Sequence, residues 1–321
     1  MITETRNRII SYIKINKQAR VGDLVKHLGL SNVAIHKQLN KLLEKSMIKK
    51  VGSSPLVFYV LDNYHPEEKN NISESIKKII DQNYLYISPA GEILNGFEGF
   101  LAWVKNINQE KYLESLAREY TKIIIYPKYI DASFKIKSTF KEDAAVEKLF
   151  YSDFYSLPKF GKTKLGQMVL YAKQSQNRDF ISKISSQIKP DILDIIRKYN
   201  IDAVSFIPPT VPRQLQFITE VEKNLNLGLP KIDLVKVSGE IIIPQKTLSK
   251  LEERIINAKE TIFIKKPDQI NYKNILLIDD ATGSGATFNE VAKKIKDKMN
   301  GTIYAFAIVG SIKGFDVISE V

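Results

Sequence analysis

Two adjacent carboxylates, Asp279 and Asp280, stand directly before a run of glycines and small hydroxyl residues: Thr282, Gly283, Ser284, Gly285, Ala286 and Thr287. Neighbouring acids can bracket the hydroxyls of a sugar or face a magnesium ion. A small-residue loop that opens a helix presents backbone N–H groups to a phosphate. Together these residue types imply a phosphorylated sugar as ligand.

The flanking residues supply the elements that must position this loop. Ile275, Leu276, Leu277 and Ile278 form an unbroken apolar run, the pattern of a buried strand. Phe288, Val291, Ala292 and Ile295 follow the loop at helical spacing. A P-loop needs G-x-x-x-x-G-K-[ST], and no Lys follows Gly285. A dinucleotide fingerprint needs a third glycine, which Gly283-Ser284-Gly285 lacks. Residues 275–287 do resemble the phosphoribosyl-pyrophosphate (PRPP) motif of type I phosphoribosyltransferases. The resemblance implies that Asp279 and Asp280 bracket the ribose hydroxyls, with magnesium held through PRPP. It also implies that the backbone from Thr282 to Ala286, with the hydroxyls of Ser284 and Thr287, holds the 5-phosphate. Gly283 stands where that family usually has Thr. The plainer alternative is a strand-to-helix turn that happens to carry acids.

Further upstream, residues 160–173, from Phe160-Gly161 to Lys173, resemble the segment that opens the ComF-type phosphoribosyltransferase domain. Gly161-Lys162-Thr163 is not a P-loop, because Ser156 stands where the first Gly would be. Asp202 to Ile207 reads as a second buried strand, followed by the proline-rich run from Pro208 to Arg213. In the resembled family this loop meets pyrophosphate. Thr210 can offer a hydroxyl and Arg213 a fork of N–H donors. Phe217 keeps one position of that family's next motif, while Ile218 and Thr219 depart from it. The stretch from Gln245 to Ala258, with Phe263, resembles ComF at matching offsets. By that analogy Lys236, Gln245 and Arg254 belong to a flexible loop over the ligand and its supports. Glu252 and Glu253 fit a solvated helix face equally well. The expected fold of residues 151–321 is α/β, a mainly parallel sheet with flanking helices.

Composition narrows the rest. The chain of 321 residues suggests more than one domain. It contains no Cys, which excludes disulfides and thiolate metal sites. No apolar run reaches the length of a membrane span, and the opening residues carry no apolar signal core. A reducing cytoplasm is the expected compartment. Residues 1–62 hold eleven Lys and Arg against four Asp and Glu, so this small segment carries +7 of the total +12. That asymmetry is the footprint of a nucleic-acid module.

Helical spacing supports that reading. Residues 4–15, 20–28 and 31–45 read as helices, with Gly29 ending the second and Ser31 capping the third. Ile35, Leu39, Leu42 and Leu43 share the inner face of the third helix. Residues 47–51 and 56–60 read as a hairpin around 52–55. This order resembles the winged helix-turn-helix of biotin-repressor and ArsR type. The resemblance implies that Asn32, Val33, His36 and Lys37 face the major groove, with Lys41, Lys49 and Lys50 near phosphates. Val33 suits a thymine methyl. A protein-interaction module is the alternative, since fold does not settle function. Residues 63–71 read as a linker, and residues 63–150 as an α+β connector in which Phe97, Phe100 and Trp103 serve as core.

Two functions follow as expectations. One is a homodimeric DNA-binding regulator whose phosphoribosyltransferase-like domain senses PRPP or a nucleotide. The other is an active magnesium-dependent phosphoribosyltransferase, or related nucleotide enzyme, brought to nucleic acid by its winged helix. DNA handling, as in competence, follows from the ComF resemblance alone.

Overall fold

The computed structural model describes residues 2–52, 56–62, 72–124 and 128–312, and within them five strands form the sheet that carries the site. They are β1 (Ile130–Asp131), β2 (Lys148–Phe154), β3 (Ala203–Phe206), β4 (Asn274–Thr282) and β5 (Thr302–Gly310). Their spatial order is β1-β2-β5-β4-β3. All neighbours run parallel except the short edge strand β1, which is antiparallel to β2. This is the mixed α/β, mainly parallel sheet expected from the sequence.

Unbroken apolar runs make the central strands, because both faces of the sheet are covered. Ile275 to Ile278 on β4 and Ala305 to Val309 on β5 are fully buried. One face packs against helices Lys164–Ser175, Arg178–Lys198 and Phe217–Leu225 through Leu165, Val169, Ile184, Ile188 and Val221. The other packs against helices Ser133–Phe140 and Ala286–Lys296 through Ile136, Phe140, Phe288, Val291 and Ile295. Gly310 lets β5 end close to β2: a Cβ there would sit 2.1 Å from the Tyr151 ring.

The chain divides into two compact units, Met1–Ile72 and Ser73–Val321. The expected boundary near 150 falls inside β2, and the segment before it belongs to the same unit as the sheet. In that segment, helices Glu74–Asn83, Gly96–Asn106 and Leu113–Ile123 surround the hairpin Leu85–Ile87 and Ile93–Asn95. Tyr84, Phe100, Trp103 and Tyr120 form an aromatic cluster, which Phe160 joins from beyond β2. Phe100 is fully buried, whereas Phe97 and Trp103 are half-buried.

The first unit contains helices Ile2–Asn16, Val21–Leu28 and Asn32–Glu44, then antiparallel strands Ile48–Val51 and Phe58–Leu61. Ser31 caps the third helix by accepting the Ala34 N–H at 3.2 Å, and Gly29 ends the second at a φ of 67°. Ile9, Ile13, Leu24, Ile35, Leu39 and Leu42 make its core. Leu43, expected on the inner face, is half-buried. The hairpin tip at 53–55 and the linker at 63–71 lie outside the described residues.

Candidate functional site

The carboxyl ends of parallel strands are where open α/β sheets place their ligands, and β4 carries the two acids near that end, with Asp280 two residues before Thr282 closes it. Beyond them, the backbone turns through Thr282–Gly285 into helix Ala286–Lys296. Gly285 makes that turn possible with a φ of 82°, in the left-handed region. Its carbonyl accepts the Asn289 N–H at 2.9 Å, the first bond of the helix ladder. Ser284 is buried, and its hydroxyl lies 3.3 Å from the Ala286 N–H, so it braces the loop from within. From behind, the Ser311 N–H donates to the Thr282 carbonyl at 3.1 Å.

These residues floor a cleft of about 240 Å³. Thr210 and Arg213 reach it from the loop after β3. Lys236 reaches it from the strand Leu234–Lys236, Gln245 from a short 3-10 turn, and Arg254 from helix Leu251–Thr261. Asp279, Asp280 and every residue from Thr282 to Thr287 line the same space. Residues named from four separated stretches of sequence therefore meet in one cleft.

Several of them also hold each other. Gln245 donates to the Arg254 carbonyl at 3.0 Å, and Arg254 Nε donates to the Leu248 carbonyl at 2.8 Å. The Arg213 guanidinium donates to the Lys173 carbonyl. Lys236 Nζ donates to Asn257 at 3.2 Å. Burial pulls the Lys236 ammonium below its ordinary range, an effect that Asp279 opposes.

The two acids differ. Burial, then the charge of Asp280, pushes the Asp279 carboxyl well above the usual carboxylate range. Like charges so close resist ionising together. Asp280 instead forms an ion pair with Lys173 at 2.8 Å, with both side chains mostly covered. The Lys173 ammonium also sits 5.9 Å from the centre of the Phe217 ring.

Lys173 lines the cleft and pairs with Asp280, a placement that reading the motifs one at a time misses. It ends the helix Lys164–Ser175, far from the loop in sequence. The apolar face of that helix, which packs on the sheet, was the available signal. Among the described residues, no cluster of three or more His, Asp and Glu side chains could hold a metal ion alone. Magnesium keeps few protein ligands, so Asp279 and Asp280 would meet it only together with ligands that it brings.

In the first unit, Asn32, Val33, His36, Lys37 and Lys50 are exposed, while Lys41 and Lys49 are half-buried. Val33 is 79% exposed at the start of the third helix. Among the described residues, no helix is long and apolar enough to cross a membrane.

No protein-family model matches the chain. The phenylalanine–tRNA ligase alpha subunit of Sulfolobus acidocaldarius is 22% identical over 221 residues, 66% of this chain and 45% of that protein. The chain thus spans less than half the length of this curated relative. Among solved structures, a hypoxanthine phosphoribosyltransferase from Staphylococcus aureus is similar over 45% of this chain and 71% of its own, at 13% identity and a TM-score of 0.25. UMP synthase from Leishmania donovani is similar over 63% of this chain and 40% of its own, at 13% identity and a TM-score of 0.23.

Proposed function

We propose that residues 151–321 form a phosphoribosyltransferase-like domain that binds PRPP or a nucleotide with magnesium. We further propose that residues 1–62 form a winged helix-turn-helix that binds DNA, in a homodimeric regulator. One observation carries the ligand reading: the acids, the loop and the cationic residues picked from sequence converge on one cleft. In this reading Asp279 and Asp280 meet the ribose hydroxyls. The backbone N–H groups from Thr282 to Ala286 and the Thr287 hydroxyl hold the 5-phosphate. Thr210, Arg213, Lys236 and Arg254 face the remaining phosphates, and Gln245 supports Arg254. Magnesium, when bound with the ligand, neutralises phosphate charge. The exposed residues Asn32, Val33, His36 and Lys37 meet base edges, and Lys41, Lys49 and Lys50 lie along phosphates. Ligand binding alters operator affinity to the extent that the ligand prefers one arrangement of the dimer.

The enzymatic reading has its own support. A carboxyl pushed up at Asp279 and an ammonium pulled down at Lys236, in one cleft, are what an acid–base site displays. Incubation with PRPP, magnesium and a panel of bases separates the two. Pyrophosphate release with any base favours the enzyme, and tight binding without turnover favours the sensor.

The site itself is tested by the double variant Asp279→Asn, Asp280→Asn. At a hundredfold excess over Kd, magnesium-PRPP stabilises the wild type by about 2.7 kcal/mol. The double variant loses that thermal shift. A full shift in the variant overturns the assignment.

A further inference from the structure

A second cavity, of about 250 Å³, lies between the helices of residues 74–124 and the start of helix Lys164–Ser175. Its lining is mainly polar and includes Gln82, Asn83, Asp153, Thr163, Lys164 and Gln187. The Tyr120 hydroxyl donates to the Asn83 carbonyl at 2.8 Å and so fixes one wall. Thr163 caps the helix beside it by accepting the Gly166 N–H at 3.0 Å.

An acid, Asp153, and a base, Lys164, line this space, and neither has a counter-charge among the described residues. Asp153 accepts the Phe154 N–H at 2.7 Å and is hydrogen-bonded by the Thr163 side chain, but no Lys, Arg or His pairs with it among the described residues. Burial raises its carboxyl to about 6. Lys164 Nζ donates to the Gln82 carbonyl at 2.9 Å and has no acid partner among the described residues. Burial lowers its ammonium. Half-buried charges are costly unless they are paired. The acid and the base line the same cavity without pairing with each other, so their arrangement suits a small molecule carrying the complementary charges. The amides of Gln82, Asn83 and Gln187 add donors and acceptors for a short polar group.

We propose that this cavity binds a polar α-amino acid as a zwitterion, its ammonium on Asp153 and its carboxylate on Lys164. Backbone links tie the cavity to the cleft. The Tyr155 N–H donates to the Gly310 carbonyl at 2.8 Å, and the next residue, Ser311, donates to Thr282 in the loop. The inference does not depend on what the cleft binds.

Titration calorimetry of the full chain with free polar α-amino acids tests it, above pH 7 where Asp153 is ionised. At least one of them binds saturably. Its N-acetyl derivative, lacking the ammonium, and its carboxamide, lacking the carboxylate, each bind at least about tenfold more weakly, as expected for loss of a charge-assisted contact. Asp153→Asn and Lys164→Met produce comparable losses for the unmodified amino acid. Absence of binding by every polar α-amino acid overturns the proposal. So does equal binding of the blocked derivatives, a result read on the wild-type protein whatever the folding of the variants.

Discussion

Gly285→Ala probes the turn on which the proposed phosphate cradle depends. Gly285 has a φ of 82° and a ψ of 4°, where a Cβ crowds its own backbone. Placing an L-residue there costs about 1–2 kcal/mol. The new Cβ would also stand 3.2 Å from Ile136 Cδ1 and 3.4 Å from its Cγ1. These atoms are the movable end of a side chain, and a shift of a few tenths of an ångström relieves them. Backbone strain therefore dominates, and the expected loss of stability is about 1–2 kcal/mol. Urea unfolding reads it as a lower midpoint with an unchanged m-value. Ile136→Val removes the nearer contact and serves as the background control. The Gly285→Ala cost persists in that background if strain is its source. Gly285→Asn costs less than Ala, since Asn enters the left-handed region more readily. A cost under about 0.5 kcal/mol, the scale of a neutral surface change, refutes this reasoning. So does a cost that vanishes in the Ile136→Val background. The strained loop also re-aims its N–H groups, so the magnesium-PRPP shift shrinks by more than the stability loss accounts for.

Lys173→Met strips Asp280 of its cation beside Asp279 and lowers stability by about 2 kcal/mol, between the values for exposed and buried pairs. Adding Asp280→Asn recovers part of that loss, and a double-mutant cycle that shows no coupling removes the pair from the account. Burial favours the neutral form of Asp153, so its contribution is fully present below the ordinary value of 3.8 and is lost as pH rises through about 6. The wild type thus gains up to about 3 kcal/mol on acidification across that window. Asp153→Asn lacks this gain, and parallel pH–stability curves for the two proteins contradict the burial argument. Lys37→Ala weakens DNA binding and reduces its salt slope by about one; an unchanged slope takes Lys37 off the phosphate backbone.

Local order was legible in the sequence wherever one short segment supplies both the pattern and its partner. The apolar run from Ile275 to Ile278, the glycine-bearing loop and the helical spacing after it all lie within residues 275–295, so pattern alone places strand, turn and helix. The same holds for Gly29 and Ser31, whose roles at adjoining helix ends are satisfied by near neighbours. The convergence of Thr210, Arg213, Lys236, Gln245 and Arg254 was readable only through resemblance to a family, because nothing within each segment points at the others.

Tertiary structure alone decided the charges. Asp279 and Asp280 are chemically identical in the sequence, yet one is driven toward its neutral form by burial and the other is paired with a lysine from a distant helix. Asp153 lies in an ordinary strand pattern and gains its character from the helices that enclose it. Gly310 likewise shows its purpose only against the Tyr151 ring. Backbone preference acts over a few neighbouring residues and can be read along the chain. Desolvation and Coulomb coupling depend on which segments meet in space, and only the packed fold sets those distances.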